Sequence, residues 1–533
     1  MDYPWDLESN SLLFRKMQTD QRITRDSFST TVWWIKRDFR VTDNHCLYLA
    51  VHSSKEVIPF FCWEPHVLEA GDYGVFHLQA QWQALRGLSA SLHRRGSGLY
   101  ECSGMVVEQL EALYQKHPFQ CLRSYQETGN TVTYQRDLAV RAWCRSRGVA
   151  WKESIGSTVV RGMNAEQKRK VLGKGPRGRL EVLPVPNHLS PPKSIDRFSD
   201  PLEWKDLCAR FNKFRGSPLF SSLQTVNERS AWQTLDSFLE ERGLAYSGGI
   251  SSPNTAFSAG SRLSPHLAWG TISSGSVFLA LDQRRDELSA CPNPGAWKRS
   301  LRAFESRLHW RDHFIQRLEG FPAMEFSSIN PVYNSIEYRD DSNDLACWIA
   351  GRTGYPLIDA CMRCLQQTGF LNFRMRAMVV SFACFGLHLS WKTIHGPLAR
   401  LFFDYEPGIH LSQLQMQAGI TGINAIRVYS PSKQLLDHDP DCHFVKKWVP
   451  ELQNYTAVEI AHAEELNLRG YTAPWVMLKE QAKKMKDQIF SIRKSMEGRS
   501  SSQQMLQKHG STKRMNPRKK TKKKEEQMAL FKD

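Results

Sequence analysis

At 533 residues, 41% of them hydrophobic, the chain is long enough for two or three domains with sizeable cores. It holds no run of about 20 apolar residues, and the opening Met1, Asp2, Tyr3, Pro4, Trp5, Asp6 has no apolar signal region, so neither a membrane-spanning nor a secreted protein is expected. The formal net charge is +17, and residues 471–533 carry 17 Lys and Arg against 6 Asp and Glu, an asymmetry that points to a polyanionic partner.

Residues 1–30 are polar and irregular and read as an extension. Residues 31–35 (Thr-Val-Trp-Trp-Ile) and 56–62 (Glu-Val-Ile-Pro-Phe-Phe-Cys) read as buried strands, with helices at 77–95 and 105–117. The span 31–159 is therefore expected to be a Rossmann-like parallel α/β domain. It lacks G-x-G-x-x-G, so strand–helix alternation there does not indicate a nicotinamide cofactor. Residues 160–226, rich in Pro, Gly and basic side chains, read as a long interdomain connector. The span 227–455 is helical throughout with short Gly/Pro breaks, giving an all-helical second domain. In 456–533 a helix is expected to fade from Gln481 into a disordered basic tail.

The 12 Cys are scattered. Cys361 and Cys364 form a C-x-x-C pair, but no second Cys or His pair stands at zinc spacing and no four thiolates group for an iron–sulfur cluster. They read as reduced core residues, and no metal is expected.

An ordered series of motifs runs through both halves. Trp34, Arg37, Asp38, Arg40, Asp43 and Asn44 open the α/β domain. Ser261-Arg-Leu-Ser264, Trp269-Gly-Thr-Ile-Ser273 and Leu308-His-Trp-Arg-Asp-His-Phe314 follow in the helical half. Then come Gly351-Arg-Thr-Gly-Tyr-Pro-Leu-Ile-Asp-Ala360, Asn372-Phe-Arg-Met-Arg376, Asp404-Tyr-Glu406, Arg427-Val-Tyr-Ser-Pro431 and Phe444-Val-Lys-Lys-Trp-Val-Pro-Glu-Leu452. In this order and spacing, over roughly residues 31–455, the series resembles the DNA photolyase/cryptochrome superfamily.

The resemblance implies a helical domain holding FAD in a folded, U-shaped conformation. The cofactor-binding candidates are Tyr246 on the adenine side and Ser261, Arg262, Leu263 and Ser264 at what reads as a helix start, where free N–H groups favour a pyrophosphate. Phe373 joins them, with Arg376 and Asp404 as the ion pair beside the isoalloxazine. Glu406 stands where the family usually has Asp, and His410 falls at the position facing flavin N5. Taken alone, Arg376 and Asp404 read as an ordinary structural bridge, and His410 as a histidine bonded to backbone.

The departures bear on function. Arg307 occupies the place of the family's catalytic Glu, and Glu305 faces elsewhere on a helix. Leu414 replaces the flavin-proximal Trp of the electron relay, Trp391 retains the middle one, and Tyr338 stands for the outermost. Leu has no accessible oxidation chemistry, so Trp348 or Tyr405 substitutes, or the flavin is reduced chemically, or photoreduction is not the function. Met416 replaces a second lesion-stacking Trp. The catalytic candidates are His410, Trp310, Arg307 and Trp391. Trp310, Arg311, Arg374, Met416 and Arg427 are the nucleic-acid candidates, an aromatic wall with arginines suited to a flipped or single-stranded base.

The function implied is a FAD-dependent, blue-light-driven lyase acting on UV-damaged pyrimidines in DNA. A cryptochrome-like photoreceptor without repair activity is the alternative, and a DNA-binding module with a structural flavin is a third. Residues 127–130, Arg136 and Asp137 resemble the stretch near which some relatives hold a folate or deazaflavin antenna. A monomer is expected. Between Lys513 and Lys524, eight of twelve residues are Lys or Arg, read as a solvated tail, a phosphate-binding arm or a nuclear address. Gln527, Leu530 and Phe531 resemble the Q-x-x-L-F peptide with which bacterial repair proteins dock onto the sliding clamp. The expected location is cytoplasmic, at the nucleoid, in a bacterium, and nuclear in a eukaryote.

Overall fold

The computed structural model describes residues 27–155, 159–164, 166–168, 182–193, 195, 198 and 201–509. The basic cluster at 513–524 and the peptide at 527–531 lie outside the described residues, as does most of the expected extension.

Five parallel strands form one sheet in the order β3-β2-β1-β4-β5, with β1 at Phe28–Trp34, β2 at Ser54–Trp63, β3 at Tyr100–Ser103, β4 at Cys121–Tyr125 and β5 at Ala150–Ser154. The two expected strands sit at its centre, each starting a few residues earlier than the apolar runs because Phe28 already pairs with Ser54 and Thr30 with Glu56. Both faces are buried, as a parallel sheet requires. Val32, Trp34, Ile58 and Phe60 pack under the helices Val106–Lys116 and Thr131–Arg147. Trp33, Val57, Phe61 and Trp63 pack on the other side with the helices His45–Ser53 and Val75–His93. That second cluster continues into Trp269 and Phe403 of the helical half, so one core spans the domain boundary.

The polar residues after β1 join the two halves. Asp38 is fully buried and accepts from Trp33 Nε1 at 3.1 Å and from the Lys36 N–H at 3.0 Å. Arg40 Nη1 donates to the Gly270 carbonyl at 2.9 Å, and the Val41 and Thr42 N–H groups donate to Glu228 at 3.0 and 2.8 Å. Gly270 has φ +66°, and a Cβ there would stand 1.9 Å from the Arg37 carbonyl oxygen. No other residue fits so close an approach.

The helical half starts at Glu228–Glu240, where Asn227 accepts from the Ser230 N–H at 2.8 Å. Its largest core surrounds the helices Pro356–Thr368 and Phe373–Ser381. Cys361 and Cys364 are free thiols buried within it. The helix expected around Gln481 is present at Leu478–Lys494, and a further helix, Met496–His509, continues the fold beyond it. Ala482, Met485 and Ile489, at helical spacing in a charged background, anchor the first of these in the core. Among the described residues no helix is long and apolar enough to cross a membrane.

Candidate functional site

A cavity of about 620 Å³ opens in the helical half, in the range of small-molecule and cofactor sites. Three elements supply most of its wall. The 26-residue helix Gly295–Gly320 contributes Phe304, Arg307, Leu308, Arg311 and Phe314, a stripe at three- and four-residue spacing. The helix Pro407–Gln417 contributes Ile409, His410, Gln413, Leu414 and Gln417. The two lie in close contact at Gly408, where a Cβ would come 2.6 Å from Ile315 Cα. From Phe373–Ser381 the wall takes Phe373, Arg376, Ala377 and Val380.

Arg376 Nη2 donates to Asp404 Oδ2 at 2.9 Å, and the guanidinium lies over Phe402 at 4.2 Å. Burial works to raise the Asp404 carboxyl, but Arg376 outweighs it and holds the group below the usual carboxylate range. Arg262 has φ +58° and stacks over Phe370 at 4.0 Å. Burial lowers its guanidinium to about 10, opposed by Asp404. Glu406 Oε2 accepts from Arg37 Nη1 at 2.9 Å, bringing the α/β domain to the cavity wall. Burial raises the Glu406 carboxyl despite that partner.

His410 is nine-tenths buried, its Nε2 lies 3.2 Å from the His395 carbonyl, and Tyr405 meets it edge-on at 5.4 Å. Burial, reinforced by His395, holds the imidazole well below its ordinary range, so it is neutral. Its Nε2 then carries the proton given to the carbonyl, leaving Nδ1 as a bare acceptor.

Tyr246, Ser261, Arg262, Leu263, Ser264, Phe373, Arg376, Asp404, Glu406 and His410 all line this cavity, as do Trp310, Arg307, Arg311, Met416 and Arg427. Two candidates do not. Trp391 is buried in the core with Ile394 and Leu398, outside the wall. Arg374 follows Phe373 by one residue, which turns it about 100° away from the face that carries Phe373 and Arg376. The expected helix start is also weaker than anticipated: Ser264–Ala268 is a five-residue turn with no side-chain cap. The Arg262 guanidinium, with Nη1 unpartnered, is the stronger anion donor available at this turn. Glu305 bonds Arg285 at 2.8 Å and is not in the wall.

Sequence reasoning passed over Asn372, Gln413, Gln417 and Phe402 as wall residues. Gln413 and Gln417 follow His410 at helical spacing and were findable on that ground. Asn372 anchors to the carbonyls of Ile250 and Ser251 at 2.9 Å each, a pairing across more than a hundred residues that carries no local signal.

The mouth is aromatic and basic. Trp310 is 42% exposed and Phe373 45% exposed, with the Arg307 guanidinium 5.3 Å over the Phe373 ring. Inside, Val380, Leu398, Phe402 and Leu414 form an apolar wall.

The wall also holds buried polar atoms without protein partners: Arg262 Nη1, Asn372 Oδ1 and Glu406 Oε1. Each unmet group costs about 1–3 kcal/mol. A ligand with phosphates and a polar-edged planar ring meets that set. The donors, the apolar wall and the volume fit FAD.

A second, much smaller cavity of about 60 Å³ lies beyond the carboxyl ends of β1, β2 and β4, where open parallel sheets bind ligands. Glu127, Gly129, Asn130 and Arg136 line it, and Asp137 stands behind. Arg136 bonds Glu64 at 3.1 Å and Asp137 at 2.8 Å, and also Glu127. As it stands, this space admits a few waters rather than a chromophore.

Comparison with known proteins agrees with this geometry. A family model described as DNA photolyase matches residues 31–172, and the FAD binding domain of DNA photolyase matches residues 304–491. The chain belongs to the DNA photolyase/cryptochrome superfamily, and its helical half is that family's FAD-binding domain. A deoxyribodipyrimidine photo-lyase of Agrobacterium fabrum is 27% identical over 439 residues, 79% of this chain and 87% of that protein. A cryptochrome DASH of Natronomonas pharaonis is 25% identical over 460 residues, 81% of this chain and 92% of that protein. Among solved structures, a class III photolyase from Agrobacterium tumefaciens superposes with a TM-score of 0.74 at 23% identity, covering 88% of this chain and 98% of that one.

Proposed function

We propose that the protein is a FAD-dependent, blue-light-driven photolyase-type lyase that acts on UV-damaged pyrimidines in DNA. The observation that carries this reading is the mouth of the FAD cavity. Trp310 and Phe373 stand exposed there with Arg307, Arg311 and Arg427 around them, the setting a base turned out of a strand requires. FAD, when bound, supplies light absorption and one-electron chemistry.

The chain's own residues do the rest. Arg262 and the Ser261–Ser264 turn hold phosphate, and Tyr246 takes the adenine side. Arg376 and Asp404 flank the ring system, and neutral His410 presents its Nδ1 lone pair. Trp310 stacks on the damaged base, while Arg307 and Arg427 hold phosphate or carbonyl oxygens. The apolar wall of Val380, Leu398, Phe402 and Leu414 keeps water from the reacting centre.

The protein works as a monomer on DNA, at the nucleoid or in the nucleus, with the 513–524 cluster as a phosphate-binding arm. The Gln527, Leu530 and Phe531 peptide docks a sliding clamp. A cryptochrome-like photoreceptor is the second reading, favoured by Arg307 in place of a catalytic Glu and Leu414 in place of a relay Trp. Illumination of the reduced, FAD-loaded protein with UV-damaged oligonucleotides separates the two. Light-dependent loss of the lesion supports repair, and a spectral photoresponse without lesion turnover supports the photoreceptor.

A further inference from the structure

Building on the FAD reading above, we propose that Tyr405 is the immediate electron donor to the photoexcited, oxidised flavin and that Asp72 takes up its phenolic proton. An excited flavin oxidises a Trp or Tyr in its immediate surroundings. Among the described residues, Tyr246, Trp310 and Tyr405 are the side chains of those types that line the cavity. Leu414 lines it with an unreactive chain, and the buried Trp391 stands outside the wall.

The three rings differ in what surrounds them. Trp310 is at the solvent-open mouth, edge-on to His313 at 5.5 Å, on the side where substrate enters. Tyr246 is enclosed edge-on by Phe238 and Phe304, and rings of that kind accept no proton. Tyr405 is 5% exposed, and its hydroxyl donates to Asp72 Oδ2 at 2.5 Å, in the range of short bonds to carboxylates. The same oxygen accepts from Asn130 Nδ2 at 3.1 Å, which fixes the carboxylate in place.

The neighbouring imidazoles leave Asp72 as the base. His77 stacks on Tyr405 with ring centroids 5.3 Å apart and an angle of 13°. Its Nδ1 accepts from the Gly74 N–H at 3.1 Å and its Nε2 donates to the Phe402 carbonyl at 2.9 Å, so both nitrogens are occupied. His410 meets Tyr405 only edge-on, ring to ring, while the Tyr405 hydroxyl itself is directed at Asp72 Oδ2. Burial, with Asp72 beside it, holds the Tyr405 phenol well above its ordinary range, so the resting ring is protonated. Losing an electron therefore means losing a proton as well.

The step balances. One electron leaves the Tyr405 phenol for the excited oxidised flavin, the O–H bond breaks, and the proton passes to Asp72 Oδ2. A neutral phenoxyl radical remains beside a protonated Asp72. A soluble thiolate then gives one electron to the radical, becoming a thiyl radical, and Asp72 returns the proton to the phenol oxygen.

The test uses the full-length, FAD-loaded protein, grown on ordinary or ring-deuterated tyrosine, illuminated and frozen for electron paramagnetic resonance. A protein radical whose spectrum narrows on tyrosine deuteration, and which is lost in Tyr405→Phe, is expected. Tyr405→Phe slows bleaching of the flavin's blue absorption by more than an order of magnitude. Asp72→Asn slows it too and removes the solvent deuterium effect seen in the parent. The deuterated parent protein carries the test if either variant fails to fold. A radical indifferent to tyrosine deuteration, or one that survives in Tyr405→Phe, overturns this proposal alone. A protein that takes up no flavin overturns the FAD reading and this proposal with it.

Discussion

Arg376 is held on two edges: its Nη2 lies 2.9 Å from Asp404 Oδ2, and its Nε donates to the Leu371 carbonyl at 2.7 Å. An arginine fixed in this way is a preorganised donor for a ring edge in the cavity, and Asp404 is buried on the strength of it. Arg376→Ala strands that carboxylate, with a cost of up to about 3–5 kcal/mol. The expected outcome is a lower thermal midpoint and weaker flavin retention, with Asp404→Asn milder in both. Because the folded carboxyl titrates below its unfolded value, its contribution is present above the ordinary carboxylate range and is lost as pH falls through the depressed value. Thermal midpoints between neutral and strongly acid pH check this, and the pH dependence is flatter in Asp404→Asn.

Two buried histidines set a second pH window. Burial lowers His77 to about 4 and His266 to about 3. His266 Nδ1 lies 2.9 Å from Thr271 Oγ1 and its Nε2 faces Gln224 Nε2 at 3.0 Å, a pairing that suits the neutral ring. Below about pH 6.5 the unfolded chain takes up these protons and the folded chain does not, so stability falls by about 1.4 kcal/mol per pH unit for each histidine. The loss continues down to about 4 for His77 and about 3 for His266. Denaturant unfolding at a series of pH values measures this slope, and His266→Gln reduces it by one histidine's share.

At the mouth, Trp310→Ala removes a stacking platform and is expected to weaken binding of a UV-damaged oligonucleotide by about 1–3 kcal/mol. Flavin content stays unchanged, because the ring stands at the exposed rim. Fluorescence anisotropy with matched damaged and undamaged strands reads the loss. An equal loss on both strands marks Trp310 as a general base-stacking residue rather than a lesion reader.

The basic tail adds sequence-independent affinity. Each phosphate it neutralises contributes about 0.9 to the slope of log affinity against log salt on duplex DNA. Truncation after residue 512 is expected to lower that slope by several units while the preference for damaged DNA persists. An unchanged slope identifies the tail as a solubilising segment.

The fold was legible where chemistry repeats locally. Apolar runs gave β1 and β2, and the order of short motifs gave the flavin domain and the charged side chains of its wall. What the sequence concealed depends on rotation and distance. Arg374 reads as a nucleic-acid contact with Trp310, Arg311 and Arg427, and the helix turns it away from the cavity wall that those residues share. Trp391 matches the middle relay position by motif alone, and its ring lies in the core outside the cavity wall. The helix Leu478–Lys494 is expected from the sequence, but its charge hides how firmly Ala482, Met485 and Ile489 anchor it in the core. The Tyr405–Asp72 bond spans 333 positions, and no local pattern announces it.

A flavin held in the cavity between Arg262, Arg376, Asp404 and His410 is the condition for every proposed step. Absorbance of the protein after incubation with FAD and gel filtration tests this most directly. The predicted result is one FAD retained per chain and loss of that yellow complex in Arg376→Ala. A folded protein that emerges colourless with saturating FAD contradicts it.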